Sequence, residues 1–177
     1  MRYGESCFEL AIQTVLQDEG EFVNDPQDAG GATKYGISLR WLKSVNDLPV
    51  DLIATQEIDV KTIQLLTRYQ AMMLYRQYFW EPYRYERIQH QSVATKVFDF
   101  SVNAGSHTAH KHLQWALHAT GEKDTLIDGL LGDKTIQAVN AAEPRVLLAS
   151  YRSEIAGYYR LLKQPHFEAG WLKRAYS

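Results

Sequence analysis

The stretch Glu19–Ser38, EGEFVNDPQDAGGATKYGIS, carries four carboxylates, four glycines and one proline between two segments of helical pattern. A connection between packed helices usually needs about two to eight residues, so a twenty-residue interruption holds more than a turn. Upstream, Phe8, Ile12 and Val15 recur at spacings of four and three, the stripe of an amphipathic helix. Ser6-Cys7-Phe8-Glu9 has the form of a capping box that starts it. Extending the stripe by four residues lands on Glu19, with Gly20 following as a C′ stop. The apolar face of the first helix therefore ends on a carboxylate.

Beyond it, residues 21–37 read as an irregular loop with room for a small hairpin. Ser38 is placed to cap a short helix through Trp41 and Leu42, which Pro49 closes. Asp59 opens one long helix through Ile63, Leu66, Tyr69, Met73 and Tyr75 toward Trp80, ended by Pro82. Ser92 opens the next, which stops near Asn103-Ala104-Gly105, and another covers roughly 108–119. A turn-rich stretch from Gly121 to Gly132 precedes helices near 133–141, 145–163 and 167–174. In the last group Val146, Leu147, Leu161, Leu162 and Trp171 are expected to be buried. The pattern is mainly α, with one loop of functional appearance.

Bulk properties narrow the possibilities. A chain of 177 residues with 45% hydrophobic content supports one cored domain or one with an appendage. A formal charge of -2 argues against an electrostatic nucleic-acid binder. No apolar run approaches a membrane span. Glu5 and Glu9 interrupt the start where a signal peptide needs an apolar core, so synthesis in the cytoplasm without a cleaved leader is expected. Cys7, the single cysteine, excludes an intrachain disulfide and reads as inert packing.

Several motifs fail on spacing. Gly129-Leu130-Leu131-Gly132-Asp133-Lys134-Thr135 departs from the phosphate-loop pattern and reads as a turn feeding a helix. The run from Asp124 has Leu126 and Thr135 where a calcium loop needs ligands. His107, His110 and His112 cluster, yet His112 faces away from His110 on a helix, so zinc is not expected.

The opening stretch fares better. Glycosidic hydrolysis needs a carboxylic acid held protonated and a second carboxylate near the other face of the sugar. Glu19 lies on an apolar helix face and at a helix C-terminus, and both raise a carboxyl pKa. The competing reading is a solvated glutamate at a helix end. Asp28 and Thr33 suit a pair that holds the attacking water; an Asx-turn ahead of Gly30 and Gly31 accounts for Asp28 equally. Asp25 reads as part of a turn, and Tyr35 in the same loop is a substrate-binding candidate.

This stretch resembles the signature of the glycoside hydrolase family 108 muramidases, approximately E-G-G-[YF]-V-N-x-P-x-D-x-G-G-x-T-x-x-G-I-[TS]. Glu21 stands where that pattern has its second glycine. FDFSVNAG at 98–105 is similar to the family's F-D-x-x-V-N-x-G, and His112-Leu113-Gln114 to the start of its L-Q helix. DGLLGDKTIQAVN at 128–140 is similar to a segment of its small peptidoglycan-binding part, and FEAGWLKRA at 167–175 to its closing G-W-x-x-R.

The resemblance implies a lysozyme-like helical fold, with a catalytic part over 1–107 and a helical wall-binding part over 108–177 packed on it as one unit. It implies Glu19 as the catalytic acid. The E-x8-D-x4-T spacing, shared with phage-type lysozymes, adds Asp28 and Thr33. Asn103 and Gly105 would line the cleft; Asp128 and Gly129 would serve the wall-binding part, or form only a turn and helix cap. The implied enzyme is a cofactor-free N-acetylmuramidase whose partner is peptidoglycan. It would be a monomer acting in the periplasm, delivered by a holin or a dedicated secretion route. Two rivals remain: an inactive wall-binding or secretion-scaffold protein, and a lytic transglycosylase that uses Glu19 without Asp28.

Overall fold

The computed structural model describes residues 3–18, 22–24, 31–45, 48 and 57–177. Glu19, Gly20, Glu21, Asp25, Asp28, Gly30 and Pro49 lie outside the described residues. The chain divides into two compact units, Ile12–Pro82 and Met1–Ala11 with Tyr83–Ser177. The division passes through the first helix, α1 (Tyr3–Asp18). Ser6 lies inside α1 instead of capping it, because the helical winding already begins at Tyr3. The predicted stripe is buried: Phe8, Ile12 and Val15, joined by Ala11 and Leu16.

In the unit Ile12–Pro82, β1 (Thr33–Lys34) and β2 (Ile37–Ser38) form an antiparallel hairpin, and Val23 bridges to Thr33. The Ser38 side chain accepts a hydrogen bond from the Trp41 N–H at 3.2 Å and caps α2 (Leu39–Ser44), as expected. Asp59 caps α3 (Val60–Leu65) through a reciprocal box with Thr62.

The single long helix expected from Asp59 to Trp80 is instead broken. Leu66 turns extended, and Thr67 and Gln70 form a second reciprocal box that starts α4 (Arg68–Tyr75). Two orphan donors satisfied at once outweigh a continuous apolar stripe here. After Tyr75 the winding widens to a π-helix over Arg76–Trp80, and Pro82 lies in the 3₁₀ turn Glu81–Tyr83. Trp80 is buried, and the Trp41 ring meets Tyr78 and Phe79 at 5.7 and 5.4 Å.

The other unit holds α5 (Gln91–Ala104), α6 (Ser106–Ala119), α7 (Asp133–Ala141), α8 (Pro144–Leu161) and α9 (Pro165–Tyr176). These match the predicted helices to within a few residues. The mainly α class holds, with a two-stranded hairpin among the described residues. Helix α5 packs on α6 and α8, and α9 packs on α8. The boundary expected at 107/108 falls at the start of α6, inside this unit.

The buried stripe of α8 is Leu147, Tyr151, Ile155 and Tyr159, a strict spacing of four. Val146, Leu161 and Leu162, expected in the core, are exposed because they fall off that stripe or at the helix end. Trp171 is half-buried, stacked between Tyr159 at 5.3 Å and Phe167 at 5.6 Å. A buried ionic cluster joins α5 to α9. Lys96 Nζ donates to Asp99 Oδ2 at 3.3 Å and to the Arg174 carbonyl at 2.8 Å, while Arg174 Nε donates to Asp99 Oδ1 at 3.0 Å.

Candidate active site

Thr33 and Tyr35 both sit on the hairpin. Val23 and Thr33 exchange backbone hydrogen bonds at 2.9 and 2.8 Å, which clamps residues 22–24 beside β1. The turn between the strands places Tyr35 at φ 52° and Gly36 at φ 74°. Two consecutive left-handed residues give the type I′ geometry that suits strand twist, and the second falls on glycine, where it is free of strain. Tyr35 takes the costlier position. Its carbonyl accepts from the Tyr75 hydroxyl at 3.1 Å, and the Lys34 ammonium donates to the Gln64 carbonyl at 2.7 Å, tying the turn to α4 and α3.

The Thr33 hydroxyl donates to the Gly31 carbonyl at 3.2 Å, with Gly31 at φ 70°. That uses the hydroxyl proton and leaves oxygen lone pairs as acceptors. Thr33 and Tyr35 are half-buried, while Ala32 and Ile37 beside them are in the core. The hairpin is thus a fixed platform that presents a hydroxyl and an aromatic ring. Glu19 and Asp28, the two carboxylates read as catalytic, lie outside the described residues.

Asn103, Gly105, Asp128 and Gly129 belong to the other unit. Gly105, at φ 82°, ends α5 and starts α6. Asn103 is exposed, and its side-chain amide donates to the Asp99 carbonyl at 2.8 Å. The loop before α7 meets this corner through two histidines. A Cβ on Gly129 would stand 2.6 Å from the His107 ring, and Gly129 sits at φ 73°, so only glycine fits. His110 Nδ1 lies 3.1 Å from the Gly129 carbonyl and its Nε2 lies 2.8 Å from the Tyr85 hydroxyl. A carbonyl only accepts, so Nδ1 carries the proton and Nε2 accepts from Tyr85.

Gln114, fully buried, does most of the remaining work. Its side-chain oxygen accepts from the Gly129 N–H at 2.8 Å, and its amide donates to Asp128 Oδ1 at 2.8 Å and to the Leu130 carbonyl at 3.0 Å. Asp128 also accepts from the Leu130 N–H at 2.9 Å. That N–H first, then Gln114, holds the Asp128 carboxyl below its ordinary pKa range. These contacts give Asp128 and Gly129 a turn-building role. The sequence reading gave Tyr85 and His110 no such part, although the polar Gln114 beside Leu113 on a buried helix face signals a network.

His110 has a consequence for pH. Burial is the main cause that lowers its pKa to about 4, with the Gly129 carbonyl opposing. The unfolded ring titrates at about 6.5, so between these values the unfolded chain binds more protons and stability falls as the pH is lowered. It should be complete above about pH 6.5, decline toward pH 4 by about 3 kcal/mol, and level off below. His112, also lowered by burial, contributes with the same sign. Urea titrations at pH 7 and 5 should show this decline, and His110→Gln should flatten most of it. An unchanged slope in that variant would assign the effect elsewhere.

Residues 12–105 match the family model Glycosyl hydrolase 108, and residues 108–176 match the model of a Predicted Peptidoglycan domain. Among solved structures, one of SagA from Brucella abortus is similar to this chain at 25% sequence identity and a TM-score of 0.73. The match covers 97% of this chain and 90% of that one. No curated protein matches. A helical chain that joins these two matched segments is a glycoside hydrolase acting on peptidoglycan. It belongs to glycosyl hydrolase family 108, whose model covers more than half of it. No helix of the described residues is long and apolar enough to cross a membrane.

Proposed function

We propose that this peptidoglycan hydrolase is an N-acetylmuramidase that cleaves the β-1,4 bond between N-acetylmuramic acid and N-acetylglucosamine. Glu19 delivers a proton to the leaving glycosidic oxygen. Asp28 and Thr33 hold a water on the opposite face; the water oxygen bonds to the anomeric carbon and Asp28 takes its proton. The reaction balances without a cofactor. The match of Glu19, Asp28 and Thr33 to the signature, within the segment that matches the family, carries this reading. Thr33 on a braced strand, its lone pairs available, supports it. In this reading Tyr35, Asn103 and Gly105 touch substrate, Asp128 and Gly129 belong to the wall-binding part, and the enzyme works in the periplasm as a monomer.

Inversion follows from a water-mediated displacement, and the Glu19 and Asp28 carboxyls should then stand about 6.5–9.5 Å apart. Retention would bring them to about 5–5.5 Å with a covalent intermediate. Two measurements test this. Masses of the fragments released from purified peptidoglycan should show reducing muramic ends. Anhydro ends would mean a transglycosylase, and no release a binder or scaffold. NMR early in hydrolysis should show the α-anomer first; the β-anomer first would overturn the role of Asp28.

A further inference from the structure

Leucines held in solvent on a rigid loop call for a reason. Gln114 and His110 pin the loop ahead of α7 from beneath, yet Leu126 and Leu130 project from it at 75% and 64% exposure. They flank a concavity of about 280 Å³ that Lys134 and Thr135 also line. A second of about 320 Å³ adjoins it, sharing Lys134 and reaching Glu122 and Asp124. Exposed apolar side chains on a preorganised loop mark a binding surface, because little ordering entropy remains to be lost.

The charges define what fits. Asp128 is engaged by Leu130 and Gln114, and Asp133 is paired with Arg87 at 2.5 Å. Lys134 makes no ion pair among the described residues and is exposed; Glu122 and Asp124 are exposed at the far end. The double groove thus offers small apolar walls, one available cation and then two available anions. Among the described residues no aromatic ring, the platform on which sugars stack, lines either concavity.

We propose that this double groove binds the stem peptide of peptidoglycan, a site that rests on reading the chain as a peptidoglycan hydrolase. Alanine methyls of the peptide lie against Leu126 and Leu130. A free peptide carboxylate meets Lys134, and the ammonium of the peptide's diamino acid meets Glu122 and Asp124. The match of residues 108–176 to a peptidoglycan domain places the groove in the part of the chain where a wall ligand is expected.

The test is calorimetric titration of the full chain with two probes: a synthetic stem pentapeptide containing a diamino acid, and glycan strands stripped of peptide. The pentapeptide should bind the wild type. Lys134→Glu should weaken it at least about tenfold by setting like charges against each other, and Leu130→Ser, which leaves the charges alone, should weaken it severalfold. Both residues are exposed, and unchanged circular dichroism will show that the variants fold. Wild-type affinity in both folded variants, or binding of stripped glycan alone, overturns the proposal. Release of fragments from whole sacculi reads the parent function separately. Release without peptide binding sinks the groove alone, and peptide binding without release sinks the hydrolase reading.

Discussion

Replacing Glu19 by Gln is expected to abolish clearing of a peptidoglycan suspension while the protein stays folded. The amide keeps the shape of the side chain and has no acidic proton to give to the leaving oxygen. Loss of a positioned general acid costs about 10²–10⁴ in rate. Glu21, the departure from the family pattern, follows two positions later in the sequence. Turbidity assays on the purified variant, with circular dichroism as the control for folding, decide the matter. Clearing near the wild-type rate would mean that the acid is another residue.

Asp99→Ala is expected to cause the largest loss of stability. Asp99 and Lys96 are both almost wholly buried, and Asp99 receives Lys96 on one oxygen and Arg174 on the other. Removing one member of a buried ionic cluster strands the remaining charges away from water, at about 3–5 kcal/mol. Burial is the first cause that lowers the pKa of Lys96, and Asp99 opposes it. Without Asp99 the ammonium loses its compensation, so the deficit should be greatest at neutral pH and shrink as the medium approaches the ordinary lysine range. Urea unfolding of the two proteins at neutral and alkaline pH measures both effects. A deficit below about 1 kcal/mol would show that solvent screens the cluster.

Periodicity and end signals made most of the fold legible. The stripe Phe8, Ile12, Val15, the Ser38 cap and the last five helices were open to reading because each rests on local chemistry. The break at Leu66-Thr67 was legible too, in Thr67-x-x-Gln70, but the apolar pattern running through it concealed the cap. The burial of Val146, Leu161 and Leu162 was misjudged for a different reason. Hydrophobicity alone does not say which side of a helix finds a partner, and the spacing of Leu147, Tyr151, Ile155 and Tyr159 decides it. For the site, residue type and spacing in the signature stretch make Glu19, Asp28 and Thr33 the candidates, and of these Thr33 lies among the described residues. The contacts of Gln114, with residues fourteen to sixteen positions away, depend on a tertiary meeting that no local pattern encodes.

The four tryptophans are shared evenly between the two units: Trp41 and Trp80 in one, Trp115 and Trp171 in the other. Their settings differ, with Trp80 enclosed, Trp41 edged by Tyr78, Trp171 stacked between two rings and Trp115 reaching solvent. Intrinsic fluorescence is therefore a built-in reporter with two channels. Replacing either pair with phenylalanine would leave a chain whose emission follows the remaining unit alone. A thermal or denaturant scan of the two half-labelled chains would then read out, without any attached dye, whether the halves lose their structure together or in turn.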